Sequence, residues 1–205
     1  DDIDSFINHL KYKNGVFTYN SDSDTFMFYN QYFQEFFVSL SINDENEDEL
    51  KANFFSEWWE NSIVFYCGKE PRRFTFLKEV SDKVIPISSI DKYNYLLLMS
   101  KCLQACHSIK IANRVAIIKR LVFEFDSFYK LYIKEGEEGK NPSGSLSTMD
   151  LILNFRRFFD KLFNSKFIAN SDNTEGLISL EELLKEESES LTEVTRYCMS
   201  YFASY

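Results

Sequence analysis

Hydrophobic residues beyond Pro86 recur at helical spacing. After Ser108 they alternate steps of four and three residues, which places one apolar stripe along about six turns of helix. The members of this stripe are Ile111, Val115, Ile118, Val122, Phe125, Tyr129 and Tyr132. An earlier apolar set follows the candidate N-caps Ser88 and Ser89. Its members are Leu96, Met99, Leu103 and Cys106. The pattern therefore predicts two consecutive helices.

A single β-hairpin is predicted near the N-terminus. A short helix over residues 3–12 leads to Gly15, since glycine suits the left-handed backbone that often follows a helix. Two aromatic and β-branched runs come next, Val16–Tyr19 and Thr25–Tyr29, and a cluster of Asn, Ser and Asp separates them. This arrangement is typical of two paired strands. We place the hairpin over residues 15–29.

Three helices are predicted between the hairpin and Pro86. The first covers residues 31–42. The second begins at the acidic stretch 44–49, whose charges suit the positive end of a helix and are expected to be solvated, and it ends at Gly68. The third starts at Pro71, because proline fits the first turn of a helix, and reaches Val80.

Residues 136–147 interrupt the helical pattern with Gly, Pro and Ser, so we expect a flexible loop there. Three Ser-x-x-Asp/Glu patterns then mark helix starts. They are Ser147 with Asp150, Ser179 with Glu182, and Ser190 with Glu193. The fold we predict is mainly α, a helical bundle or short irregular α-solenoid of about seven to nine helices with one N-terminal hairpin.

The net charge and the cysteines indicate which partners and which cellular compartment to expect. The net charge of -9 disfavours nucleic-acid binding, because affinity for phosphates comes from Lys and Arg. No run of about 18 apolar residues predicts a membrane span. The 4 cysteines lie in apolar helical sequence. This placement predicts buried thiols in a protein of a reducing compartment. We therefore expect a cytoplasmic protein without nucleic-acid or membrane partners.

A sequence motif lies at the junction of the predicted hairpin and helix. It consists of Phe28 followed by Phe33, Gln34, Glu35, Phe36 and Phe37. Downstream, Trp58 or Trp59 begins a Trp-to-Gly helix pattern that ends at Gly68. Both resemble the region of NACHT-type STAND NTPases where F-x-H-x-S/T-F-Q-E-Y/F-F-A-A closes the winged-helix domain. The resemblance covers residues 15–68. It implies that residues 1–43 are the remnant of a winged-helix domain, with a hairpin over 15–29 and a helix over 31–42, and that 44–205 form a helical domain.

Two roles are open for Asn30, which stands where the family has a histidine that resembles a sensor of the ADP β-phosphate. Asparagine can still donate an amide hydrogen to phosphate, but it cannot become cationic. Alternatively, Asn30 is the N-cap of the helix over 31–42. Tyr32 replaces the family's capping Ser/Thr, so the capping box with Glu35 is lost. The resemblance implies ATP or ADP in the parent protein and no cofactor in this segment.

The aromatic residues of the motif are expected to form core. One side of the helix carries Phe33, Phe36, Phe37 and Leu40. This side should pack against the hairpin and against the helix that ends at Gly68. Gln34 and Glu35 are expected to be an exposed pair, or to face a nucleotide-binding core. Truncating Glu35 should therefore destabilise this chain far less than truncating Phe37.

We expect no catalytic activity. A P-loop is missing, because Asn141 follows Lys140 where Ser or Thr is required. Cys102 and Cys106 share a helix face, but His107 points about 100° away and no fourth ligand has suitable spacing, so buried thiols are favoured over a zinc site.

The resemblance implies a non-catalytic regulatory and interaction segment of a STAND NTPase, in an intracellular signalling or bacterial antiphage defence sensor. Its partners would be the nucleotide-binding domain of the same chain and other proteins. The sequence opens without Met on a helix-spaced apolar set, as expected for a piece of a longer chain. The alternative is a stand-alone helical protein–protein interaction module whose motif match is coincidental.

Overall fold

Helix dominates the chain wherever this computed structural model describes it, over residues 2–12, 15–69, 74–83, 88–106, 111–139 and 190–196. The elements are α1 (Asp2–Tyr12), β1 (Phe17–Asn20), β2 (Thr25–Phe28), α2 (Gln31–Ser41), α3 (Glu47–Ala52), a 3₁₀ turn (Glu57–Trp59), α4 (Glu60–Lys69), α5 (Phe74–Lys83), α6 (Ser89–Ala105) and α7 (Ile111–Glu137). The predicted mainly α fold with one N-terminal hairpin is confirmed. Contacts divide the chain into two compact units, residues 1–66 and 67–205.

The hairpin is antiparallel and lies where the sequence pattern predicts it. Phe17 pairs with Phe28 at the open end and Asn20 with Thr25 at the turn. The turn closes locally, because the side-chain oxygen of Asn20 accepts a hydrogen bond from a backbone N–H two residues later. Gly15 precedes β1 with a φ of 63°, a left-handed value that glycine adopts without strain.

The long helix predicted from the acidic stretch 44–49 to Gly68 is wrong, since α3, the 3₁₀ turn and α4 replace it. The first break lies at Asn53, the C-cap of α3. Its side-chain amide donates to the carbonyl of Glu49 at 2.9 Å, in addition to the helical bond that its backbone N–H makes to the same carbonyl at 3.1 Å. The acidic stretch is also only partly solvated. Glu47 accepts a 2.6 Å hydrogen bond from the buried Tyr66 hydroxyl and pairs with Lys51.

Two long helices pack together in residues 67–205, as their apolar stripes predict. Buried residues of the two helices include Leu96, Met99, Leu103, Ile118, Val122 and Phe125. Ser88, and not Ser89, is the N-cap of α6, because its hydroxyl accepts a hydrogen bond from the N–H of Asp91.

α7 runs past the predicted stripe into the first residues of the predicted loop 136–147. It ends at Glu137, and Gly139 closes the turn with a φ of 70°. Loop residues 140–147 and the predicted helix starts at Ser147 and Ser179 lie outside the described residues.

A buried carboxylate on α7 holds the segment 190–196. The oxygen Oδ1 of Asp126 accepts three hydrogen bonds of 2.7–2.8 Å, two from Thr192 and one from Thr195. Its other oxygen pairs with Lys130 at 2.7 Å. The helical turn over residues 193–196 is therefore capped by Thr192, whose hydroxyl also accepts from the N–H of Thr195, and the predicted Ser190–Glu193 capping box is wrong.

Burial by itself would raise the pKa of Asp126, which is only 3% exposed. The hydrogen bonds from Lys130, Thr192 and Thr195 outweigh that effect and hold the pKa below its ordinary value. The ionised carboxylate is thus the stable form in the folded protein.

Asp126→Ala should lower the free energy of unfolding by about 3 kcal/mol, because Thr192 and Thr195 lose a buried ionic acceptor. Urea denaturation near neutral pH measures this. The matched control is Asp82→Ala, which removes an exposed ion pair with Arg120 and should cost about 1 kcal/mol or less. Equal losses would contradict the anchoring role. Since the folded-state pKa is depressed, the contribution of Asp126 is present above the pKa of the unfolded chain and is lost as the pH falls through the folded-state value.

Candidate interaction surface

A continuous row of seven aromatic rings crosses the hairpin and reaches α4 through α2. Neighbouring rings have centroids 4.7–6.3 Å apart. In order they are Tyr19, Phe26, Phe17, Phe28, Phe37, Phe36 and Phe65. The strand rings meet because side chains two residues apart share one face of a β-strand. Two predicted contacts are thereby confirmed, Phe37 with the hairpin and Phe36 with α4.

The apolar residues of α2 are nevertheless not core. Five side chains that we call the aromatic surface each remain 39–44% exposed. They are Phe26, Phe33, Phe36, Phe37 and Leu40. The predicted burial of the three motif phenylalanines is therefore wrong. Tyr29 and Tyr32 beside them are more exposed still. Because an aromatic side chain carries about 150–250 Å² of surface, this region offers on the order of 600 Å² of mostly apolar area. Apolar patches of about 300–600 Å² on soluble proteins are often functional.

Glu35 occupies the inward face that the aromatic residues leave. It is 5% exposed, and its two carboxylate oxygens accept hydrogen bonds of 3.0 Å from the side-chain amides of Gln31 and Asn61. Its backbone carbonyl accepts a 3.1 Å hydrogen bond from Ser62 on α4. The expectation that Glu35 is exposed is wrong.

The inward face of α2 can be recognised in the sequence only once the structure shows which residues are buried. Glu35 and Ser39 are its buried residues, and Ile42 follows them at the C-cap. Their spacing of four and three residues is helical, but two of the three are polar. The hydrophobic pattern therefore predicts burial of the opposite face, which carries Phe33, Phe36 and Leu40. α2 is thus amphipathic in the reverse sense, with a satisfied polar face inside and an aromatic face outside.

Asn30 is the N-cap of α2. Its backbone is extended, and its side-chain oxygen accepts a 2.8 Å hydrogen bond from the N–H of Tyr32. The capping alternative is confirmed, and it explains how the helix begins without a Ser or Thr at residue 32. The side-chain NH₂ group of Asn30 makes no hydrogen bond to any other residue that the structure describes. A nucleotide contact by that group stays a prediction.

The remaining motif residues divide between surface and helix. Trp58 is exposed in the 3₁₀ turn and Trp59 is half-buried. Gly68 lies inside α4 and does not end it. A methyl group at Gly68 would lie 3.5 Å from the carbonyl oxygen of Ala105, an ordinary contact, so packing does not require glycine there.

The charged residues that neighbour the aromatic surface in the sequence are acidic. Between residues 15 and 42 the charged side chains are Asp22, Asp24 and the buried Glu35, and the acidic stretch 44–49 follows. The described residues contain no cluster of His, Cys, Asp or Glu suited to a metal ion. Among the helices that the structure describes, none has the length and apolarity to cross a membrane. No protein-family model, curated protein or solved structure matches the chain.

Glu35→Ala should destabilise the protein at least as much as Phe37→Ala. The first substitution leaves buried amide donors unsatisfied, at a cost of about 1–3 kcal/mol. The second removes a ring that is already partly exposed, so it should cost less than the roughly 3–5 kcal/mol of a buried Phe. Gln34→Ala, on the exposed side of the same helix, is the control and should change stability by about 0.5 kcal/mol or less. Thermal denaturation of the three variants gives the order. A loss for Glu35→Ala as small as that of Gln34→Ala would contradict the buried network.

Proposed function

We propose that this chain is a non-catalytic regulatory and interaction segment of a NACHT-like STAND NTPase, and that its aromatic surface docks against the nucleotide-binding domain of the same protein. The resemblance at Phe28 and Phe33–Phe37 motivates the class. The single observation that carries the docking is the outward orientation of the aromatic face of α2. A helix that buries Glu35 and exposes Phe33 and Phe36 presents a surface that association with a partner would remove from water.

The size and charge of the surface define its partner. Stable protein interfaces bury about 800 Å² on each side, and the aromatic surface with its two tyrosines supplies most of that area. Aromatic side chains are also the residue type that contributes most to binding at interfaces. The exposed rings favour a partner with an apolar groove, and the acidic residues that neighbour them in the sequence favour a basic rim. Following the resemblance, we propose that the nucleotide-binding domain supplies this groove.

Asn30 lies at the edge of this surface, at the start of α2. The first turn of α2 contains no acidic residue, so the partial positive charge of the helix N-terminus is not neutralised there. In the proposed assembly, the side-chain oxygen of Asn30 keeps the cap while its NH₂ group donates to a phosphate of ADP. ATP or ADP is thus a ligand of the parent protein, with no cofactor in this segment.

A stand-alone helical interaction module is the second candidate, because the exposed aromatic surface serves it equally well. The two candidates differ in what the gene encodes before Asp1. A Walker A motif followed by a Walker B motif supports the NTPase. A start codon at or close to Asp1 supports the separate module. In the first case we place the protein in cytoplasmic signalling, as a sensor of the bacterial antiphage type.

Phe33→Asp should weaken binding of this chain to the nucleotide-binding domain by more than about tenfold, because a charge at the centre of an apolar contact loses its hydration. Titration calorimetry with the two purified parts measures the affinity. Thr18→Asp is the matched control, since it adds the same charge on the opposite face of the hairpin, beside Met27. Equal weakening by both variants, or by neither, would contradict docking through the aromatic surface.

Asn30→Asp separates the cap from the phosphate contact. Aspartate caps a helix as well as asparagine does, so the melting temperature should stay the same. The donor NH₂ is lost and a negative charge faces phosphate, so the affinity of the parent protein for ADP should fall by about tenfold. Asn20→Asp makes the same chemical change in the hairpin turn and should leave ADP affinity unaltered. Unchanged ADP affinity in Asn30→Asp would show that Asn30 is a cap only.

A further inference from the structure

Three buried thiols meet at the ends of α4 and α6, within residues 67–205. Cys67, Cys102 and Cys106 are 1%, 0% and 4% exposed, and all three are free. The thiol of Cys106 donates a 3.1 Å hydrogen bond to the backbone carbonyl of Cys67. The side chain of Cys67 also hydrogen-bonds to those of Cys102 and Cys106. Neither the aromatic surface nor the proposed phosphate contact of Asn30 involves these thiols.

The backbones of α4 and α6 already approach each other at this point. A Cβ placed on Gly68 would lie 3.6 Å from the Cβ of Ala105. Gly68 and Ala105 are the chain neighbours of Cys67 and Cys106. The backbones of α4 and α6 are therefore in van der Waals contact beside the two cysteines.

Arg114 makes the surroundings of Cys106 electropositive. Its buried guanidinium group donates to the carbonyl of Leu103 at 3.1 Å and to that of Cys106 at 2.6 Å. The positive charge offsets the partial negative charge at the C-terminus of α6, which would otherwise disfavour a thiolate.

The two thiols of the pair differ in acidity. The hydrogen bond from Cys67 lowers the pKa of Cys106, burial opposes this, and Arg114 lowers the pKa further. Burial raises the pKa of Cys67 well above its ordinary value, and the hydrogen bonds to the other two thiols raise it again. The thiolate is the reactive form of cysteine, so this difference in pKa favours Cys106 over Cys67 as the nucleophile of the pair.

We propose that Cys106 and Cys67 are a redox-sensitive thiol pair that hydrogen peroxide converts to a disulfide joining the ends of α4 and α6. The Cys106 thiolate attacks one peroxide oxygen, the O–O bond breaks, and a sulfenic acid and hydroxide form. The hydroxide takes the proton of Cys67 and becomes water. The Cys67 sulfur then attacks the Cys106 sulfur, the S–O bond breaks, and the departing hydroxide leaves as a second water after taking up a proton. Two thiols and one peroxide give one disulfide and two waters.

The disulfide would close a loop that contains α5 and all of α6. Closing a loop in the unfolded chain stabilises the folded protein, so oxidation should raise the melting temperature. The effect requires neither the aromatic surface nor a nucleotide. It is therefore independent of the function proposed above.

The test treats the folded 205-residue protein with hydrogen peroxide. Intact mass should fall by two hydrogen atoms, and a non-reducing digest should contain a cross-linked peptide pair. Trypsin leaves Cys102 and Cys106 on one peptide, because Lys101 and Lys110 flank them. The variant Cys102→Ser therefore assigns the link to Cys106 without ambiguity.

We expect the Cys67–Cys106 link in the wild type and in Cys102→Ser. Oxidation should also raise the melting temperature, and dithiothreitol should reverse that rise. Cys106→Ser, whose hydroxyl can still donate to the carbonyl of Cys67, should form disulfide at least about tenfold more slowly. Thiols that stay reduced in the folded wild type, or that link only after urea is added, would overturn it. So would a Cys67–Cys102 link that forms in Cys106→Ser at the wild-type rate. If Cys102→Ser does not fold, fragmenting the wild-type cross-linked peptide pair between Cys102 and Cys106 assigns the link instead.

Discussion

The buried carboxylate of Glu35 determines which face of α2 turns inward. Amide groups of Gln31 and Asn61 satisfy its two oxygens, and Ser62 donates to its backbone carbonyl. Rotating the helix to bury its aromatic residues would break these bonds and leave the donors without acceptors, which is costly in an apolar surrounding. Ser39, also buried, has a small side chain that leaves room on that face. The aromatic side chains are consequently directed outward.

That orientation links the local chemistry of one helix to the proposed function. Phe36 and Phe37 are held in place by ring contacts with Phe65 and Phe28, so the aromatic surface is ordered before any partner arrives. An ordered apolar surface loses less conformational entropy on binding than a flexible one does. This holds for the proposed nucleotide-binding domain and for a separate protein alike.

Buried polar groups also organise residues 67–205. The end of every α-helix leaves carbonyl groups without hydrogen-bond donors, and Arg114 supplies donors to two of them at the end of α6. Asp126 performs the complementary task, because its carboxylate accepts the hydrogen bonds of Thr192 and Thr195. Arg114 joins the start of α7 to the end of α6, whereas Asp126 joins α7 to a segment that is distant in sequence. The apolar stripes of α6 and α7 provide the packing area of the two helices. Arg114 and Asp126 add the hydrogen bonds that hold the end of α6 and the segment 190–196 to α7.

The sequence by itself determined the elements whose signals are local. The hairpin follows from two aromatic runs around a polar turn, α6 and α7 follow from apolar stripes, and the cap at Asn30 follows from the preference of asparagine for that position. Tertiary structure decided whatever depended on a distant partner. Thr192 replaced Ser190 as a cap because Asp126 lies opposite it, and the thiols of Cys67 and Cys106 meet only where α4 reaches α6. α2 has two faces of helical spacing, one aromatic and one built on Glu35 and Ser39. Periodicity favours the aromatic face for the core, and only the hydrogen bonds from Asn61 and Ser62 reverse that choice.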